Sequence, residues 1–266
     1  MLHIRQLGVR CMHTSTTTLQ SRPAKRKSIK WEAECIEIIQ ETPDVRTFRF
    51  EKPEDWTFVP GQYLMVFFPE VFGKKNRAYS IASSPNSDYI DLTIKLYGLF
   101  THHMWTLTEG STWTLRGPYG HFILNTERKN DVLLLGAGVG VTPLMSMIRW
   151  ATEVKSDRRF LLLYSNKKPK DIIFHNELQA IERMNPNVKI VYTLTRLEDR
   201  LKQSWPGLTG RINGEMVKSQ VMEWQNNDGE TPTSLTCGPI VMIETVEKVL
   251  TELGWPKEEI QYEKFW

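Results

Sequence analysis

Val132-Leu133-Leu134-Leu135-Gly136-Ala137-Gly138-Val139-Gly140-Val141-Thr142-Pro143 sets the reading of this 266-residue chain. A short apolar run ended by glycines reads as a buried parallel strand, because a helix needs a longer periodic stretch. Gly136, Gly138 and Gly140 then permit a tight turn and a close backbone approach to a ligand. Thr142 is the expected helix N-cap, and Pro143 occupies a first-turn position where proline is tolerated. Beyond it, Leu144, Met147, Ile148 and Ala151 recur at helical spacing. The order strand, glycine turn, helix points backbone N–H groups and a helix N-terminus at an anion, typically a cofactor phosphate. The spacing is G-x-G-x-G-x-x-P rather than G-x-G-x-x-G, so an ordinary strand-to-helix turn is the alternative that the rest of the chain must decide.

Downstream, strand and helix patterns alternate. Phe160–Tyr164 and Val188–Leu194 read as strands, Ile173–Met184 and Met216–Trp224 as helices, and Leu235–Cys237 as a short strand. The helix expected after Pro239 carries Met242, Val246, Val249, Leu250 and Leu253 on one face. Such alternation predicts a parallel sheet wrapped by helices. Cys237-Gly238-Pro239 then lies at the carboxyl edge of that sheet, where ligands bind in such folds. Read by itself, Cys237 is either a buried structural thiol or a site residue. At another strand end, Tyr164-Ser165-Asn166-Lys167-Lys168 offers basic groups, joined by Arg196, with no acid before Asp171. In a sheet that holds a dinucleotide, a basic group there favours a ribose 2′-phosphate and an acid the 2′-hydroxyl.

Upstream, short β-like runs are separated by turns. Phe48 and Phe50 flank Arg49, Tyr63–Phe68 is aromatic and β-branched, and Ile90, Leu92, Ile94 and Leu96 alternate with Asp91, Thr93 and Lys95. Pro60-Gly61-Gln62 and Ser84-Pro85-Asn86 are turns. This half predicts a small antiparallel barrel or sandwich, and with the α/β half it makes a two-domain β + α/β plan with a ligand in the cleft. Arg77-Ala78-Tyr79-Ser80 places an arginine, an aromatic and a hydroxyl in order, either a flavin site or a polar strand. Gly98-Leu99-Phe100-Thr101 opens a short helix and is a second candidate anion site. The adjacent His102 and His103 point in different directions and have no third ligand at a matching interval, so no metal site is expected. Gly117-Pro118-Tyr119-Gly120 closes the half as a junction turn or a backbone approach to a ring, and Asn125–Asn130 reads as the linker.

Charge is unevenly distributed. The chain carries a formal net charge of +3, yet Met1–Lys30 holds seven basic residues and no acid. The remainder has 27 basic against 31 acidic residues, a net charge of −4, which argues against a nucleic-acid-binding domain. An acid-free, Arg-bearing, Ser/Thr-rich leader reads as a mitochondrial transit peptide or as a disordered basic tail, which makes the expected location mitochondrial and otherwise cytoplasmic. No apolar run approaches the ~20 residues of a membrane span. Cys11, Cys35 and Cys237 cannot supply four thiolates to an iron–sulfur cluster, so any electrons leaving this chain must go to another molecule.

Pro60-Gly61-Gln62-Tyr63, Arg77-Ala78-Tyr79-Ser80, Gly98-x-x-Thr101, Gly117-Pro118-Tyr119-Gly120 and the Gly136–Pro143 turn occur in the order found in the ferredoxin–NADP reductase superfamily. From Trp31 to the C-terminus the chain resembles its cytochrome b5 reductase-like and oxygenase-reductase-like members. The resemblance implies a basic leader (1–30), an antiparallel Greek-key β-barrel holding FAD (31–127) and a parallel-sheet α/β domain holding NADH or NADPH (128–266). It implies that Arg77, Ala78, Tyr79, Ser80, Ile94, Lys95, Gly98, Thr101 and Gly117 serve the flavin. Gly136, Gly138, Gly140, Thr142, Pro143, Asn166, Cys237, Gly238 and Pro239 would serve the pyridine nucleotide. Ser80, Cys237 and Glu263 are the implied catalytic residues, and Phe265 or Trp266 the aromatic that shields the ring. The implied activity is hydride transfer from NAD(P)H to FAD and onward electron transfer to a haem protein, ferredoxin, oxygenase or quinone. A non-catalytic flavin- or nucleotide-binding subunit of a larger complex is the alternative.

Overall fold

The computed structural model describes residues 28–225 and 230–264. The basic leader falls almost wholly on residues 1–27, and the ring-shielding assignment falls on Phe265 and Trp266; both lie outside the described residues.

The first half comprises β1 (Ile29–Thr42), β2 (Val45–Glu51), β3 (Tyr63–Phe67), α1 (Pro69–Phe72), β4 (Asn76–Ser80), β5 (Tyr89–Lys95), α2 (Gly98–Thr106) and β6 (Thr112–Tyr119). Its six strands form one antiparallel sheet in the order β4-β3-β6-β1-β2-β5. A bridge between Ile81 and Leu92 joins the two outer strands and closes the sheet into a barrel. Closure removes the exposed strand edges of an open sheet. β1 begins at Ile29, which pairs with Gly117 as Lys30 does with Arg116, so these two residues belong to the barrel and not to the leader. The interior is aromatic: Trp113 is fully buried, with Phe48, Phe50 and Phe68 within 4.8–5.1 Å of it, ring to ring.

β5 departs from the alternation read in its sequence. Ile90, Leu92 and Ile94 face the core as expected, but Asp91 and Thr93 are buried as well. The second half of the molecule covers the outer face of this strand, and polar residues survive there because they are paired. Thr93 meets the hydroxyl of Thr47 at 2.8 Å, and Asp91 accepts from Arg49 and Arg149.

The second half comprises β7 (Val132–Ala137), α3 (Val141–Glu153), β8 (Phe160–Asn166), α4 (His175–Met184), β9 (Val188–Leu194), α5 (Asp199–Lys202), β10 (Leu208–Thr209), α6 (Gly214–Trp224), β11 (Thr233–Gly238), α7 (Ile240–Glu252) and β12 (Ile260–Lys264). All six strands are parallel, in the order β10-β9-β8-β7-β11-β12. Leu144, Ile148 and Leu178 of α3 and α4 fill one face, Val217, Val246 and Leu250 of α6 and α7 the other. The chain winds outward from β7 to β10 and then returns to the opposite side of β7 as β11. That reversal opens a crevice at the carboxyl ends of β7 and β11, the place where doubly wound sheets bind ligands. The buried Arg158 ties the connecting segment down, donating to the carbonyls of Asn130 at 2.6 Å and Asn125 at 2.9 Å. Among the described residues no helix is long and apolar enough to cross a membrane.

The glycine turn differs in one detail from the expected form. A 3₁₀ turn over Gly138–Gly140 precedes α3, which starts at Val141, so Thr142 is inside the helix and is not its N-cap. Its hydroxyl instead donates back to the Val139 carbonyl at 3.0 Å. The early start follows from Gly138, whose φ of +53° lets the chain turn within three residues.

Candidate active site

Two cavities open at this crevice and meet. The first, about 540 Å³, is walled by β4, β5 and the start of α2 on the barrel side and by Val139, Thr142, Glu263 and Lys264 on the other. It brings together Arg77, Ala78, Tyr79 and Ser80 with Ile94, Lys95 and Thr101. The second, about 490 Å³, runs from Ala137–Val139 past Ser165–Lys167 to Pro239 and Met242. Val139 and Lys95 line both. Each volume suits one part of a dinucleotide-sized ligand.

In the first cavity, β4 runs antiparallel to β3, which sets Ser80 opposite Tyr63. Ser80 is buried. Tyr79 is half-buried, and burial pushes its phenol well above the ordinary tyrosine range. Arg77 is exposed, donates to the Asn76 carbonyl at 2.8 Å and lies 5.5 Å from the Phe100 ring centre. At the head of α2, the Thr101 hydroxyl accepts from the Tyr97 N–H at 2.6 Å and donates to the Gly98 carbonyl at 3.1 Å. Gly98 stands beside Tyr97 and Thr101 without forming part of the wall. His102 Nδ1 lies 2.7 Å from the Gly98 carbonyl, and the His103 ring packs edge-on against Phe68 and Phe72.

Glu263 is the electrostatic centre of the site. It pairs in register with Cys237, lines the first cavity and holds a buried Oε2 with no hydrogen-bond partner. Burial alone raises its carboxyl to about 7. Burial and the Glu263 charge push the Cys237 thiol up well above its usual value, and the same two causes, together with the neighbouring Tyr119, raise Tyr63. Cys237 therefore stays a protonated thiol at neutral pH, which suits a buried structural thiol and not a nucleophile.

In the second cavity, Gly138, Asn166 and Pro239 line the wall. Tyr164 is fully buried and its hydroxyl clamps the turn by donating to the Gly138 carbonyl at 3.0 Å. Asn166 is buried with an unpartnered Nδ2. An orphaned carboxylate oxygen in one cavity and an orphaned amide donor beside the other fit polar ligands that complete them. Gly136, Gly140, Cys237 and Gly238 stand behind the wall, where they let the two turns approach, and Pro143 is buried in α3. Gly117 is on neither cavity: it is buried in β6, where Trp56 Nε1 donates to its carbonyl at 3.3 Å.

Arg211 and Asp44 also line the second cavity, and no motif pointed to either. Asp44 pairs with Lys95 at 2.6 Å, and Asp171 accepts from the Lys168 N–H at 3.2 Å. These residues come from the β1–β2 turn and the segment after β10, far apart in sequence, so spacing carried no signal for them.

Comparison with known proteins accords with this geometry. The family model described as an oxidoreductase FAD-binding domain matches residues 32–123, and that of an oxidoreductase NAD-binding domain matches residues 134–248. The chain is 32% identical over 238 residues to the glycine betaine monooxygenase reductase subunit of Chromohalobacter salexigens, covering 87% of this chain but only 63% of that protein. It is 32% identical to the sulfhydrogenase 1 subunit gamma of Pyrococcus furiosus, with 84% and 74% covered. The cytochrome b5 reductase domain of Ulva prolifera nitrate reductase superposes with a TM-score of 0.74 at 25% identity, over 89% of this chain and 97% of that one. With an FAD-binding half, an NAD-binding half and two cavities that meet between them, the chain belongs to the ferredoxin–NADP reductase superfamily of flavin-dependent oxidoreductases.

Proposed function

We propose that this protein takes hydride from a pyridine nucleotide and passes electrons through FAD to a separate acceptor. The observation that carries the reading is the meeting of the two cavities at Val139 and Lys95, with Ser80 and Glu263 on the wall of one and the glycine turn on the wall of the other. Hydride transfer needs reacting atoms about 3–3.5 Å apart, which two adjoining cavities can impose. When bound, FAD supplies the hydride-accepting and electron-donating chemistry.

The chain's own residues bind and orient. On this reading the barrel, read as 31–127 and extended to Ile29, holds the flavin, and 128–266 holds the nucleotide. Arg77 offers a guanidinium to the flavin pyrophosphate, with Thr101 at the head of α2 as a second phosphate contact. Tyr79 lies along the ring or ribitol, and Ser80 offers its hydroxyl to the isoalloxazine edge. Glu263 holds a proton near neutral pH beside that edge. The Gly138 turn faces the nucleotide pyrophosphate, Thr142 borders the flavin cavity and not the nucleotide one, and Cys237-Gly238-Pro239 shapes the place of the nicotinamide.

NADPH is the proposed donor. Lys167 and Arg211 line the second cavity, while its two acids are already engaged, Asp44 by Lys95 and Asp171 by the Lys168 N–H. The proposed acceptor is a redox protein such as an oxygenase component, a haem protein or a ferredoxin, in keeping with the reductase names of the relatives. Mitochondrial import is proposed on the composition of the leader alone, and fusion of Met1–Lys30 to a fluorescent protein tests it.

Anaerobic stopped-flow absorbance of the flavin-loaded protein mixed with NADPH or NADH tests the main reading. Rapid bleaching of the flavin band, faster with NADPH, is expected. A bound flavin that neither nucleotide bleaches would replace this reading with that of a non-catalytic subunit.

A further inference from the structure

Helix α3 is fastened to the barrel along one face. Ser146, Arg149 and Glu153 lie three, four and seven residues apart, so they project to the same side. The Ser146 hydroxyl donates to the Ser83 carbonyl at 2.7 Å. Arg149 donates to the Ala82 carbonyl at 2.9 Å and to Asp91 Oδ2 at 3.3 Å, and its other nitrogens hold Glu177 of α4 at 2.7 Å. The Ser84 hydroxyl donates to the Glu153 carboxylate.

Asp91 stands at the centre of these contacts. Its side chain is fully buried and is gripped from the barrel side by Arg49, at 2.8 and 3.1 Å, and from the other half by Arg149. The Ser83 hydroxyl takes a hydrogen bond from its backbone N–H at 3.1 Å, and its carbonyl accepts from Ala82 at 2.9 Å. Glu37 and Glu177 satisfy the outer ends of the two arginines. A buried carboxylate is tolerated only where it is paired, and this one is paired by both halves of the molecule at once.

The other end of the same helix faces the ligands. Val139 immediately precedes α3 and lines both cavities, and Thr142 in its first turn lines the first. Arg149 lies seven positions beyond Thr142, about 10 Å along a rigid rod. The barrel segment 82–84 directly continues β4, which carries Arg77–Ser80. The latch therefore joins the strand that walls one cavity to a helix whose first turn walls the same cavity and whose preceding turn, at Val139, walls both.

We propose that Asp91 is a positioning residue for the transfer between the two ligands: by locking Arg149 and α3 onto the barrel it sets the separation of the two cavities. This rests on the reductase reading above, and the test separates the two. Asp91→Asn is made in the full chain with FAD bound and studied by scanning calorimetry and by anaerobic flavin reduction. The latched wild-type protein is expected to unfold in one transition and the variant in two, one for each half. Flavin content and nucleotide affinity are expected to hold, while the limiting rate of flavin reduction falls about ten- to a hundredfold. One unchanged transition together with a wild-type rate would overturn the latch. If neither nucleotide reduces even the wild-type flavin, the reductase reading fails, and the calorimetry alone decides the latch. Should Asp91→Asn not fold, Ser146→Ala removes only the bond to Ser83 and is expected to slow the same rate a few-fold with the nucleotide affinity intact. A wild-type rate in that folded variant would equally overturn the latch.

Discussion

Gly140 and Cys237 are packed so closely that no side-chain carbon fits between them. A Cβ on Gly140 would stand 2.3 Å from the Cys237 carbonyl oxygen and 3.3 Å from the Gly238 nitrogen. The turn after β7 and the turn after β11 thus meet backbone to backbone, at the reversal of strand order where the second cavity opens. The third glycine of the opening stretch serves this contact and does not line either cavity.

Gly140→Ala follows directly from that contact. The overlap is with backbone, which cannot rotate away, so the two turns must separate. A loss of about 1–3 kcal/mol is expected, read as a lower urea midpoint, together with weaker nucleotide binding and unchanged flavin content.

Ser80→Ala tests the assigned hydroxyl. Ser80 is buried on the wall of the first cavity, and Arg77, Tyr79 and Thr101 remain to hold the flavin. Loss of one hydrogen bond of about 1 kcal/mol predicts a roughly fivefold to tenfold slower flavin reduction in single-turnover measurements with FAD still bound.

Glu263 makes stability depend on pH. Its carboxyl is raised from 4.5 to about 7 by burial, so between those values the folded state holds more protons than the unfolded state. Stability from this group is therefore fully present below about pH 4.5 and is lost as pH rises through about 7. Glu263→Gln removes that loss. Thermal unfolding of the flavin-free protein should show the variant a few degrees more stable at pH 8, and little different from wild type at pH 5.

Arg211→Ala reports on the nucleotide. Arg211 and Lys167 line the second cavity, and a 2′-phosphate between them would gain charge-assisted hydrogen bonds. The KM for NADPH is expected to rise about tenfold while that for NADH stays within about twofold. Equal effects on both would place Arg211 on a part of the nucleotide that the two donors share.

Local pattern was enough to place most elements. Val188–Leu194 is a strand as read, Phe160–Tyr164 extends only to Asn166, and the helix read at Met216–Trp224 gains two residues at its start. The division into a β half and an α/β half follows from the same local periodicity. Arg77–Ser80 and Thr101, which wall the first cavity, were visible because a strand and a helix start place neighbouring residues on one wall.

Other features arise only when distant segments meet. The alternation in β5 gave Asp91 and Thr93 as the solvent face, yet α3 and its neighbours cover them, and nothing in residues 89–95 encodes that cover. Thr142 has the chemistry of an N-cap, but the turn at Gly138 starts the helix too early for it to act as one. Arg211 and Asp44 reach the second cavity from opposite halves of the chain. The resemblance singled out Glu263, but only its burial beside β11 and the barrel raises its carboxyl toward neutrality. The sequence alone determined local backbone form, because periodicity and turn chemistry act over a few residues. Burial, charge environment and the joining of the two cavities were decided by the tertiary structure, because desolvation and pairing depend on which surfaces the fold brings together.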